Sequence, residues 1–328
     1  MPVPDFHGTK VFVTGGAGFI GSHIVDQLLD AGAAHVVVVD DFVRGRHENL
    51  AAASATGRLR VVTGDIRDAA LIDELTAGAD YVFHQAALRI TQCAEEPRKA
   101  VEVMVNGTQN VLEAAVRHKV RKVLAASSAS VYGEPSYLPM DEAHPFNNRT
   151  LYGAAKIMDE QTLRAYNDMY GLNYAAIRPF NVYGPRMDVF GVYTEVMIRW
   201  LERLGRGEAP VIFGDGKQTM DFIYVEDLAH AYLLAATSDA SDVVVNGGAG
   251  IETSLLELCE QLCAAAGHPD VKPAFEPPRK VNPVSRRLAD IRLAEEKIGF
   301  RATTSLADGL RRLVEWHSAI PELAGAAQ

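Results

Sequence analysis

Residues 11–22 constrain the fold more than any other stretch: Val11-Phe12-Val13-Thr14 runs directly into Gly15-Gly16-Ala17-Gly18-Phe19-Ile20-Gly21-Ser22. The first residues are apolar without a break and mostly β-branched or aromatic, as a strand buried on both faces should be. Gly15, Gly18 and Gly21 then permit a tight turn into an amphipathic helix, expected over Ile20–Ala31. The first turn of such a helix has free N–H groups and a partial positive charge, so it seats an anion, and glycine lets that ligand reach the backbone. A plain glycine turn is the competing reading, and the strand–turn–helix context weighs against it.

The same alternation continues downstream. Further strands are expected at His35–Asp40, Leu59–Thr63, Tyr81–His84, Lys122–Ala126, Tyr174–Arg178 and Val243–Asn246. Helical patterns fall between them at Ala69–Leu75, Arg98–His118 and Tyr152–Tyr170. Repeated βα order predicts an α/β chain with a doubly wound (Rossmann), mainly parallel sheet. After Pro179 the texture changes: Asn181–Arg186 and Val211–Asp221 carry Gly and Pro in loop-like clusters, and helices are expected at Thr194–Arg206, Glu226–Thr237, Ser254–Ala266 and Ser305–His317. This reads as a smaller C-terminal α/β lobe. The expected division is 1–178 plus 222–247 for the dinucleotide-binding domain and 179–221 plus 248–328 for a substrate-binding lobe, with Pro321–Gln328 as a loose tail.

Composition excludes some classes. A net charge of −10, from 42 acids and 32 bases, argues against a general nucleic-acid binder. Three cysteines, Cys93, Cys259 and Cys263, suit a reducing compartment rather than a disulfide framework. Cys259 and Cys263 are four apart on an expected helix, where core packing is the expectation and no metal site is read. No signal peptide and no uninterrupted apolar run of about 18 residues is found, so a cytoplasmic chain with no membrane partner is expected.

Chemistry concentrates at strand ends. Asp40 closes the second strand, where an acid accepts the adenosine ribose hydroxyls of a dinucleotide and repels a 2′-phosphate, favouring NAD. Arg44 and Arg46 are a counter-signal, read here as a solvated loop. Asp65 and Ile66, after the third strand, offer a polar and an apolar contact to adenine; Asp65 or Asp68 serves equally well as a helix cap. Tyr152 and Lys156 are one helical turn apart and point the same way. A cation beside a phenol favours the phenolate, so Tyr152 can take a proton from a substrate hydroxyl and return it. The run Ser127-Ser128-Ala129-Ser130-Val131-Tyr132-Gly133 follows a strand directly, placing hydroxyls at the ligand crevice; Ser127 and Ser130 also read as loop or cap residues.

With these motifs in order, and with His84-Gln85-Ala86-Ala87, Asn106-Gly107-Thr108, Arg178–Arg186, Phe213–Asp227 and Leu288-Ala289-Asp290, the chain resembles the extended short-chain dehydrogenase/reductases of the NAD-dependent sugar epimerase/dehydratase family, most of all its UDP-glucose 4-epimerase branch. The resemblance implies that Ser128, Tyr152 and Lys156 are the catalytic group. It implies that Gly15, Gly18, Phe19, Ile20, Gly21, Asp40, Asp65, Ile66, Ala86, Tyr152 and Lys156 hold NAD. Asn106 would fix the site's backbone or the sugar, Asn181 would meet the sugar-nucleotide diphosphate, and Val211 to Phe213 would flank the base. Relatives that eliminate water or decarboxylate carry carboxylates just after the catalytic serine or threonine; Ala129 and Ser130 are not ionisable, which points to simple oxidation with return of hydride.

Two departures stand out. Met220 replaces the arginine that grips the diphosphate in Gln218-Thr219-Met220-Asp221, and Asn282-Pro283 replaces a Gly-Asp pair that holds the nucleotide ribose. Arg279, Arg286 or Arg287 would take over at that end. Arg89, just past the fourth strand, either meets the sugar or pairs with Glu95. The implied activity is 4-epimerisation of a nucleotide sugar, with a net NAD-dependent dehydrogenase or 4-keto-reductase as the alternative enzyme and a non-catalytic dinucleotide-binding regulator as the alternative outside catalysis. The two long helices resemble a pair that forms a homodimer interface in the family.

Overall fold

Branched and aromatic side chains build the strands, because they fit a pleated surface covered on both sides. The computed structural model describes residues 4–189, 195–277 and 285–320. In chain order the strands are β1 Lys10–Thr14, β2 His35–Asp40, β3 Leu59–Thr63, β4 Tyr81–His84, β5 Lys122–Ala126, β6 Tyr174–Pro179, β7 Asn181–Tyr183, β8 Val211–Phe213, β9 Thr219–Tyr224, β10 Val243–Gly247, β11 Glu252–Ser254 and β12 Ala274–Glu276. The helices are α1 Phe19–Asp30, α2 Ala51–Ala55, α3 Ala69–Thr76, α4 Ile90–Glu95, α5 Pro97–Ala100, α6 Thr108–Arg117, α7 Leu151–Tyr170, α8 Val196–Gly205, α9 Val225–Thr237, α10 Leu255–Ala265, α11 Arg292–Ile298 and α12 Leu306–Ser318.

Seven strands pair in the order β10-β6-β5-β4-β1-β2-β3, every pair parallel. Alternation along β1 feeds two cores: Val11 and Val13 pack with Ile24 and Leu28 of α1 and with α9, while Phe12 packs on the other face with Ile72 of α3 and Val111 of α6. Strand order reverses at β1, with β2 on one side and β4 on the other. A parallel sheet opens its ligand crevice at such a reversal, beyond the carboxyl ends of the strands.

The expected helix over Arg98–His118 is present but not uniform. Pro97 starts it at the first turn, hydrogen bonding widens to the π pattern over Val101–Gly107, and α6 resumes at Thr108. Such widened turns often occur at functional sites. Helix α7 has both ends specified locally: the Thr150 hydroxyl accepts from Gly153 N, and Gly171 closes the helix at φ +69°.

Two stretches read from sequence as loops are partly strands. Asn181–Tyr183 and Thr219–Tyr224 pair as β7 and β9, with β11 on the far edge of β9, and β8 pairs with β12. Their partners lie far away in sequence, so local Gly and Pro content conceals them. A third core beneath them joins Trp200 of α8, Cys259 and Cys263 of α10, and Leu310 of α12. Among the described residues no helix is long and apolar enough to cross a membrane.

Candidate active site

The crevice has a volume of about 830 Å³ and lies over the carboxyl ends of β1, β2, β4, β5 and β6. Its floor is the glycine turn. Gly15 adopts φ +68°, and a Cβ there would sit 2.7 Å from Ala86 N, so only glycine lets β1 and β4 end side by side. Helix α1 begins at Gly18 with no side-chain cap and no acid in its first turn, leaving its N–H groups to an anion. Gln85 lines the same wall, and its buried Nε2 has no hydrogen-bond partner among the described residues. A bare helix start, a cradle that excludes Cβ and an orphaned amide fit a dinucleotide.

Asp40 borders the crevice, held by N–H bonds from Ala17 (3.0 Å) and Phe42 (3.0 Å). Burial raises its carboxyl above the usual range, opposed by those two donors. Arg44 lies in an exposed loop, as expected, but it has a partner that the sequence did not announce. It lines the crevice and reaches Asp188, which follows β7 and lines the same crevice, at 3.3 Å. Asp68, not Asp65, caps α3, accepting from Ala70 and Leu71 N–H. Asp65 faces the crevice with Arg67 at 2.6 Å; Ile66 and Ala86 line it too.

Ser128, Tyr152 and Lys156 all line the crevice. Ser128 Oγ accepts from Ser130 N at 3.1 Å, which leaves its O–H to donate outward. Lys156 comes from the buried side of α7, its Nζ donating to Ala126 O at 2.6 Å and to Asp159 Oδ2 at 3.3 Å. Sequence reasoning placed the lysine and missed this carboxylate.

It also missed what fixes α7 against the sheet. Arg178, on β6, donates to both oxygens of Glu160 (2.8 and 2.7 Å) and to Tyr132 Oη (2.8 Å), all buried. Tyr132 donates on to Asn246 Oδ1 of β10, and Ser127 Oγ hydrogen-bonds Glu160. The signal available in sequence was an arginine inside the apolar run Ala175-Ala176-Ile177-Arg178. A charge there demands a buried partner.

Comparison with known proteins agrees with this geometry. The profile of the NAD dependent epimerase/dehydratase family matches residues 11–248. The chain belongs to that family. The UDP-glucose 4-epimerase of Mycolicibacterium smegmatis is 38% identical over 310 residues, covering 94% of this chain and 98% of that protein. Among solved structures, UDP-N-acetylglucosamine 4-epimerase from Methanobrevibacter ruminantium M1, in complex with UDP-N-acetylmuramic acid, superposes with a TM-score of 0.89 at 34% identity, covering 94% of this chain and 98% of that one. The UDP-glucose 4-epimerase of Thermotoga maritima, with UDP-glucose, gives 0.87 at 35% identity, with 94% and 98% covered.

The chain is therefore an NAD-dependent enzyme of the epimerase/dehydratase family. Its substrate end departs from expectation at several residues. Asn106 is exposed and does not line the crevice, because the π-helical turn directs Gly107, not Asn106, against Ile66. Val211 and Phe213 also lie outside the lining: Ile212 between them is buried in the third core, and β8 pairs with β12 beyond the crevice. Arg286 is held by Glu252 at 2.7 Å rather than facing the crevice. Arg89 pairs with Asp188 (3.6 Å) and Glu195 (3.9 Å), not with Glu95, since the residues after β7 reach its guanidinium. Arg279, Asn282 and Pro283 lie outside the described residues.

Asn181, Met220 and Arg287 do line the family enzyme's crevice. Asn181 Nδ2 donates to Asp221 O at 3.0 Å. Asp221 itself is fully buried and accepts from the N–H groups of Ala249, Gly250 and Ala289. Burial pushes its carboxyl up to about 6, opposed by those three donors. Arg287 is half-buried; burial lowers it, and its Nε is itself buried and has no hydrogen-bond partner among the described residues.

Proposed function

We propose that the enzyme is a nucleotide-sugar 4-epimerase of the UDP-glucose/UDP-galactose type. The observation that carries this reading is that Ser128, Tyr152 and Lys156 line the same crevice as the uncapped start of α1, with the non-ionisable Ala129 and Ser130 after the serine. The α1 N-terminus would hold the cofactor pyrophosphate, Asp40 the adenosine ribose hydroxyls, and Asp65, Ile66 and Ala86 the adenine side. Arg44 is engaged by Asp188 at 3.3 Å, an ion pair that would compete with a 2′-phosphate, which favours NAD over NADP. Bound NAD supplies the acceptor, and on return the donor, of the C4 hydride.

The protein's part is proton handling and placement. The Ser128 hydroxyl donates to the sugar's C4 oxygen, and Tyr152 takes the proton of that hydroxyl and later gives it back. Lys156 adds a fixed positive charge beside the reacting oxygen. Arg287 meets the diphosphate, its Nε, without a partner among the described residues, marking a donor for a ligand. Arg287→Met is expected to raise KM for the sugar nucleotide by ~10–100-fold, the value of a charge-assisted hydrogen bond, with kcat nearly unchanged. Steady-state kinetics checks this, and an unaltered KM removes Arg287 from the substrate.

NMR of the purified protein incubated with a panel of sugar nucleotides tests the reaction. The expected result is interconversion of C4 epimers without net absorbance change at the nicotinamide band. Product formation matched by accumulating NADH makes the protein a net dehydrogenase, and inertness toward the whole panel overturns the epimerase reading.

The reading extends to organisation. The division of the chain into 1–178 with 222–247 and 179–221 with 248–328 is supported by β10 returning to pair with β6 and by the separate third core. A homodimer is supported by apolar side chains on the two long helical segments: Val101, Met158, Met169 and Tyr170 are all exposed. Sedimentation is expected to give a dimer at micromolar concentration, and a monomer alone would remove this assignment. A reducing, cytoplasmic location is supported by three free, buried cysteines.

A further inference from the structure

Lys156 reaches the crevice with part of its donor capacity already engaged. An ammonium has three N–H donors. One goes to Ala126 O at 2.6 Å and one to Asp159 Oδ2 at 3.3 Å, so one remains for anything in the crevice. Among the described residues, Asp159 is the carboxylate within ion-pair distance of this lysine. It is buried, does not line the crevice and can touch neither sugar nor cofactor. Whatever it does for the reaction passes through Lys156.

The other groups around this pair are neutral or engaged. Glu160, next on α7, is held in the bidentate pair with Arg178 of β6. His84, from β4, sits between Thr14 Oγ1 (2.7 Å) and Thr108 Oγ1 (3.0 Å); burial and the Lys156 charge push it down to about 3, so it is neutral. Cys93, from α4, is buried and raised by that burial. Tyr232, from α9, is fully buried and raised for the same reason. From α6 the Thr108 hydroxyl faces Asp159 and carries no charge. The charge that Lys156 presents to Tyr152 is therefore balanced chiefly by Asp159.

We propose that Asp159 is a positioning residue that fixes the Lys156 ammonium and reduces its field at Tyr152, and so sets the pH range over which the tyrosine exchanges the substrate proton. Opposite charges 3.3 Å apart act on a third group nearly as a dipole, so the phenol feels less than a full positive charge. Burial pushes the Asp159 carboxyl up to about 6, while Lys156 and Thr108 act to lower it. The balance therefore holds at neutral pH and is lost as Asp159 protonates under acid conditions. The inference rests on the epimerase reading of the same site.

The pH profile of kcat/KM for a sugar nucleotide that the wild-type enzyme epimerises, measured in Asp159→Asn and Asp159→Glu, decides it. Asparagine keeps the shape and removes the charge; glutamate keeps the charge. The acidic limb is expected to move down by about one pH unit in Asp159→Asn, as for removal of one nearby countercharge, and to stay at the wild-type position in Asp159→Glu. A limb that stays put in both variants while only the denaturation midpoint falls overturns the proposal, as does loss of folding in both, since Asp159 would then be a purely structural partner. Wild-type turnover tests the epimerase reading separately, so its failure and that of the Asp159 proposal are told apart.

Discussion

Replacing Tyr152 with phenylalanine is expected to reduce turnover by ~10³–10⁴-fold, the upper part of the range for a positioned acid–base group, while NAD stays bound. The substitution removes one oxygen and little volume. It leaves the Lys156 bonds to Ala126 and Asp159 intact, because neither involves the phenol. The glycine turn, Asp40 and the start of α1, which are proposed to hold the cofactor, lie on other elements. Progress curves by NMR, together with mass spectrometry of the nucleotide released on denaturation, separate lost chemistry from lost cofactor. Retention of most of the wild-type rate with full NAD occupancy would falsify the proposed proton route.

The second large effect is on stability. Arg178→Ala is expected to destabilise the fold by about 3–5 kcal/mol, the usual consequence of leaving one half of a buried ion pair alone. Both partners are buried and the pair is bidentate, at 2.8 and 2.7 Å. Burial by itself would lower Arg178, and Glu160 and the Tyr132 phenol more than offset it. Removing the guanidinium strands the Glu160 carboxylate and breaks the link from β6 through Tyr132 to Asn246 of β10. Because Glu160 follows Lys156 by about one helical turn, turnover falls as well, through loosening of α7 rather than loss of a reacting group. The urea midpoint reads the first effect; a variant as stable as wild type removes the network from the account of how α7 is held.

Much of this was legible in the sequence, and the pattern of success is physical. Strands β2, β3, β4 and β5 fall where the apolar runs placed them, and α1, α7 and α9 agree within a residue or so at each end. Tyr152, Lys156 and Ser128 reach one crevice because each lies at a strand end or on a helix whose face is set by local periodicity. Charged residues were harder to place. Arg44 and Asp188 are 144 positions apart, and nothing near either residue announces the other. Asn106 carries an attractive motif on a helix that widens to the π pattern, so the expected face is not the one presented. Strands β7, β8 and β9 were hidden because their stability comes from partners remote in the chain.

The amino-acid order alone determined the parallel sheet, the anion-seating turn and the tyrosine–lysine pair, since each is written within a few consecutive residues through glycine conformations, strand alternation and helical spacing. Only the tertiary structure decided which charges meet: that Asp159 accepts one of the lysine's three N–H donors, that Glu160 receives Arg178, and that Arg287 keeps at the crevice a donor unanswered among the described residues. Electrostatic partners are chosen by proximity in space and by the absence of water around them, and a linear sequence encodes neither until the chain has folded.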